Sequence, residues 1–114
     1  MSEGASVLGI FHVSIGLLVI GLAVPLLRGR VRMNAWYGVR LPQAFRSEAN
    51  WYALNRYGAI QLIFFGAALI VLGVVAALIP PRLGGLWFVA GLAAPGLLVL
   101  PMLVMILRFA KKLP

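Results

Sequence analysis

Cysteine is absent from the 114-residue chain, and carboxylates are nearly so, with Glu3 and Glu48 alone. The first absence excludes disulfides, thiolate chemistry and cysteine-based metal sites. The second excludes the paired carboxylates of general acid–base work. The one histidine, His12, completes no Ser/His/Asp set and no metal-spaced ligand group. No Gly-rich phosphate loop of the nucleotide type is present. The sequence therefore reads as a non-enzyme with no cofactor and no metal.

Charge of either sign is also sparse. Charged residues make up 11% of the chain, hydrophobic residues 63%, and mean hydropathy is +1.05. An ordinary soluble domain carries about 25% charged residues and needs a mostly polar surface at this size. Ten Lys/Arg and two acids do not cover such a surface, so lipid is the expected solvent. The net charge of +8 raises nucleic acid as a partner. We read against it, because the basic residues flank long apolar runs. The nearest polyanion is then the lipid headgroup layer, which attracts juxtamembrane Lys/Arg. The N-terminus lacks a basic region before its apolar run, so a cleaved signal peptide is not expected.

Three runs carry no charge: Gly4 to Leu27, Tyr57 to Pro81 and Leu83 to Leu107. Each is long enough, at 1.5 Å per residue, to cross a hydrocarbon core of about 30 Å. They predict an all-α membrane protein with transmembrane helices at about 5–27, 57–79 and 85–107. An interfacial loop with a short helix fills 28–56, and residues 1–114 form one integral membrane domain. Pro80 to Gly85 reads as a tight turn. Six arginines lie in the central loop, Arg82 alone in the turn, and Arg108, Lys111 and Lys112 in the tail. The asymmetry predicts an inner-membrane, multi-pass protein. Its N-terminus lies outside, and the central loop and C-terminus are cytoplasmic.

The stretch from Asn34 to Gly58 is the only one that mixes Trp, Tyr, Asn, Arg, Pro and an acid. Such residues suit a membrane–water boundary. Leu41 precedes Pro42 and should be extended. Ser47 reads as an N-cap, with Glu48 in the first turn where its charge suits the helix dipole. Trp51, Leu54 and Gly58 then share one face. Two courses stay open: a helix lying flat that bends near Gly58, or one that runs straight into the second span.

Glu48 stands eight residues from both Arg40 and Arg56. One reading is an Arg/Glu/Asn cluster that holds a lipid phosphate or a peptide carboxylate. The plainer one is a charge that neutralises and pins the loop. Asn34, Asn50, Asn55, Trp36 and Trp51 are walls of that site, or else turn, cap and aromatic-belt residues. His12 is an intramembrane ionisable group, read first as an interhelical hydrogen-bonding residue and second as a proton or ion site. Pro95 and Pro101 predict bends and freed carbonyls that neighbours must satisfy. Gly66, Gly73 and Ala77 offer a close-packing face, within the chain or in a homo-oligomer.

The middle stretch resembles the SdpI/YfhL family of small bacterial membrane proteins. The residues that carry the resemblance are Asn34, Gly38, Arg40, Pro42, Glu48, Trp51, Asn55, Arg56 and Gly58. The chain departs from the family at Leu41, where Thr is usual, and at Gln43-Ala44, where a Trp-Thr pair is usual. The resemblance implies those nine residues as a ligand- or partner-binding motif. It also implies an immunity or signalling role, since the best-known member protects its producer from a secreted toxin peptide and recruits a transcriptional repressor. The leading reading is self-protection or signal relay through a peptide toxin or regulatory protein. The alternatives are a small oligomeric transporter or ion pathway, and a lipid-binding or accessory subunit whose basic loop engages anionic headgroups.

Overall fold

A computed structural model describes residues 3–78 and 84–114. It contains helices α1 (Glu3–Leu27), α2 (Glu48–Leu78) and α3 (Gly84–Lys111), with a 3-10 turn at Pro42–Arg46 between α1 and α2. All three helices are long and apolar enough to span a membrane. Many large apolar side chains face outward, among them Phe11, Leu17, Phe64 and Leu97. So large an apolar surface is what a lipid solvent requires. The tight turn expected at Pro80 to Gly85, and the end of the second span at residue 79, fall mainly outside the described residues.

Helix α1 ends where the chain changes chemistry. Gly29 takes φ +66°. Its N–H donates to Leu26 O at 3.3 Å, and Arg30 N–H donates to Pro25 O at 3.0 Å. This pair of bonds satisfies carbonyls that the helix end leaves free, and glycine adopts the left-handed conformation without a Cβ penalty. Helix α2 starts as expected: Ser47 Oγ accepts from Asn50 N–H at 3.0 Å. It then runs uninterrupted to Leu78. No proline lies within it, so nothing removes a backbone bond near Gly58, and the course that bends there is not taken. At about 46 Å α2 exceeds a hydrocarbon core, and the whole molecule extends 54 Å along its long axis.

Helices α1 and α2 run antiparallel with their backbones close together. A Cβ added at Gly9 would lie 2.6 Å from Gly73 O, and one at Gly16 would lie 2.5 Å from Gly66 O. The reciprocal distances are 2.7 Å from Gly73 to Gly9 O and 2.8 Å from Gly66 to Gly16 O. The face predicted on the second span therefore packs within the chain. Its partners, Gly9 and Gly16, carry the same seven-residue spacing on α1 and were legible there. Such small-residue faces let dispersion and Cα–H···O contacts replace the hydrophobic drive that lipid removes.

Gly16→Leu is expected to lower thermal stability in detergent by about 2 kcal/mol, a typical cost of overpacking. Gly21→Leu is the control, since nothing lies within 4 Å of its Cβ position. Equal melting temperatures for the two variants would contradict the close contact.

Helix α3 leans from one partner to the other. At the loop end Ile106 and Ala110 pack with Ala44, Trp51 and Leu54, and the Phe109 ring stacks on Tyr57 at 4.2 Å. At the opposite end it meets α1, where Gly91 lies against Leu8 and Phe88 against Gly4. It continues as α-helix through both Pro95 and Pro101.

A polar bond joins α1 to α3. His12 is 3% exposed, and its Nε2 lies 2.8 Å from Gly91 O. Pro95, four residues after Gly91, has no N–H to give that carbonyl. His12 donates in its place, which fixes the proton on Nε2 and makes the interhelical reading of His12 the observed one. Its Nδ1 is buried without a partner.

Candidate functional site

The connection from residue 28 to 47 does not arch away from the bundle. It folds onto the first turns of α2 and is fastened there by buried polar side chains. Asn34 organises the first turn of the loop. Its Oδ1 accepts from Trp36 N–H at 2.9 Å and Tyr37 N–H at 2.7 Å, and its Nδ2 donates to Arg32 O at 2.7 Å and Tyr37 O at 3.1 Å. Asparagine fits because one short side chain supplies both an acceptor and a donor to its own backbone. The Tyr37 hydroxyl then reaches back along α1 and donates to Leu22 O. Its ring joins Ala23, Leu26 and Ala59 in a small core.

Asn55 is the central clamp. It is 2% exposed. Its Oδ1 accepts from Val39 N–H at 2.6 Å, while its Nδ2 donates to Val39 O at 3.3 Å and to Trp51 O at 2.9 Å. One amide thus satisfies both backbone groups of a loop residue, as a neighbouring strand would. Gly38 makes the approach possible. Its φ is +124°, and a Cβ there would lie 2.6 Å from Asn55 Oδ1 and 3.3 Å from the Trp51 ring. Gly58 does the same one turn further along α2, where an added Cβ would meet Val39 Cγ2 at 2.5 Å.

Two more bonds complete the fastening. Trp51 Nε1 donates to Val31 O at 2.9 Å, and Asn50 Nδ2 donates to Gln43 O at 3.1 Å. Pro42 opens the 3-10 turn, with Leu41 extended before it at φ −72°, ψ 155°. Ala44, inside that turn, is fully buried against Trp51 and Leu54. The aromatic-belt reading fails for Trp51, which is 0% exposed. A ring whose N–H reaches a loop carbonyl, with Leu54 and α3 around it, is core. The belt reading fits Trp36, which is 86% exposed.

The three charged motif residues behave differently. Arg40, Glu48 and Arg56 are all exposed. Among the described residues Glu48 forms no ion pair, with Arg40, with Arg56 or with any other cation, within 4.0 Å. Geometry explains this. Arg40 turns back and donates to Ala35 O. Arg56 lies two helical turns, about 12 Å, below Glu48, and its Nη2 is 3.9 Å from the position of a Cβ on Gly29. Glu48 stays in the first turn of α2 and makes its favourable interaction there with the helix dipole. The expected pairing cluster does not assemble, and Glu48 does not pin the loop by an ion pair.

The motif thus divides by physical role. Asn34, Gly38, Pro42, Trp51, Asn55 and Gly58 build the loop. Arg40, Glu48 and Arg56 are carried on its outside. Sequence reasoning missed Tyr37, Val39 and Gln43, because two of them make their hydrogen bonds through backbone atoms and the third acts across a tertiary contact. His12 lies away from this site. Among the described residues no group of His, Cys, Asp or Glu is placed to hold a metal.

Neither curated proteins nor solved structures yield a match to the chain. Residues 30–109 match the SdpI/YfhL protein family. That range covers well over half of the chain and contains all nine motif residues, so the chain belongs to the SdpI/YfhL family and is a multi-pass protein of the bacterial inner membrane.

Proposed function

We propose that the chain is a non-enzymatic immunity or signal-relay protein, in which a fastened loop presents exposed charged residues to a peptide toxin or a regulatory protein. One observation carries this reading. The polar motif residues fall into a buried or half-buried set that fixes the loop backbone and an exposed set that, among the described residues, is left free of ion pairs. A loop held by Asn34, Asn55 and Trp51 loses little further entropy when a partner binds. Exposed arginines on such a support suit carboxylates at a peptide end or on a protein surface. The Lys/Arg asymmetry supports a cytoplasmic loop end with the N-terminus outside.

The test is survival of a sensitive host challenged with the cognate peptide. Arg40→Gln, Glu48→Gln and Arg56→Gln are expected to lower protection at least about tenfold, the effect of about 1.4 kcal/mol per lost charged contact, at unchanged protein level. Full protection by all three, with normal membrane levels, would remove the proposal.

A further inference from the structure

Tertiary packing gathers nearly all of the positive charge at one end. The six arginines between residues 28 and 56 surround the loop, and the end of α3 packs on the same loop through Ile106, Ala110 and Leu113. Arg108, Lys111 and Lys112 are thereby brought beside them. All nine of these cations are exposed, and Glu48 is the one acidic side chain at that end. None of the nine forms an ion pair among the described residues. Their counter-charge must come from outside the chain.

The loop also fixes the level at which that charge sits. The Tyr37 hydroxyl bonds Leu22 O, five residues, or about 7.5 Å, back from the end of α1. The chain around residue 37 therefore lies beside the last turns of α1. Asn34 holds Trp36 there through its backbone N–H, with the indole 86% exposed. An exposed indole beside the last apolar turns, at the same end as nine exposed cations, matches the boundary between acyl chains and headgroups. A soluble acidic peptide would be met by the cations and would leave the exposed indole unused.

We propose that the loop end is a binding surface for anionic phospholipid. The headgroup phosphodiesters lie among the Arg/Lys side chains of the loop and of α3, and Trp36 stands at the acyl border. This inference shares Arg40 and Arg56 with the immunity reading but is tested apart from it, since the closing substitutions fall on α3 alone.

The test uses the full chain carrying Trp87→Phe, which removes the exposed indole at the opposite end. It is reconstituted in phosphatidylcholine vesicles containing a minor fraction of brominated phosphatidylglycerol or, in parallel, brominated phosphatidylcholine. Quenching of Trp36 reports which lipid occupies the surface. Phosphatidylglycerol is expected to be preferred at least about fivefold, the effect of a single favourable cation contact. The preference should fall as salt is raised. It should also fall at least about threefold when Arg108, Lys111 and Lys112 are replaced by Gln, with no loop residue touched. Equal quenching by the two lipids would overturn the proposal without recourse to any charge variant. So would a preference that the α3 substitutions leave unchanged, or polyglutamate binding to the same vesicles in the absence of a lipid preference.

Discussion

Asn55→Leu is expected to release the loop from α2 and to cost about 3–5 kcal/mol. The substitution keeps the number and branching of side-chain heavy atoms but removes the acceptor of Val39 N–H and the donor to Val39 O and Trp51 O. Each buried group left without a partner costs about 1–3 kcal/mol. Val39 has no sheet neighbour to turn to, so water must reach it, and that requires the loop to lift away from Gly58. Amide exchange at Val39, and proteolysis between residues 28 and 47, should accelerate together. Gly38→Ala should produce the same opening by another route, since φ +124° strains any residue with a Cβ. Asn55→Leu with native exchange at Val39 would show that the clamp does not hold the loop. Membrane insertion itself should survive both changes, because it depends on the three apolar runs.

His12→Leu is the second large effect, and it should depend on Pro95. In the native chain His12 supplies the hydrogen bond to Gly91 O that Pro95 does not. Removing it strands a carbonyl in the apolar interior and should cost about 1–2 kcal/mol, near the upper range for interhelical bonds in membranes. In a Pro95→Ala background the new N–H satisfies Gly91 O within α3. The same His12→Leu change should then cost little or be favourable, because it also removes a buried Nδ1 without a partner. The coupling between the two sites is the measured quantity. Unfolding of all four variants in detergent or bicelles gives it directly. An equal cost of His12→Leu in both backgrounds would rule out the compensation. The absence of any acid between residues 4 and 27, 57 and 81, and 83 and 107 argues for this structural role over a proton path.

The loop shows where reading the sequence reached its limit. Ser47 as an N-cap, the extended Leu41 before Pro42, and the three spans are local matters of cap chemistry, sterics and hydropathy. The sequence reading placed all of them. Glu48 stood out as the one interior acid, with a ligand cluster and a loop-pinning charge as its two readings, and the structure leaves it exposed and without an ion pair among the described residues. Asn55 looked like one of several polar walls, and it is the residue that holds the loop to the helix. Rarity in a sequence marks chemistry that stands out. It does not say which polar atom will meet a backbone group sixteen residues away. Trp51 illustrates the same point: an interfacial ring and a core ring have the same side chain, and only the position of Val31 and α3 separates them.

Residue order and hydropathy alone determined that the chain suits lipid, that it carries three helices long and apolar enough to span a membrane, and that its polar residues concentrate in one connection. Those outcomes follow from transfer free energies that add along the chain and need no partner. Tertiary structure alone decided that the glycines of α1 and α2 meet each other, that His12 serves the carbonyl vacated by Pro95, and that the cations of α3 join those of the loop. Each of these is a contact between distant residues, fixed by geometry that no local sum contains.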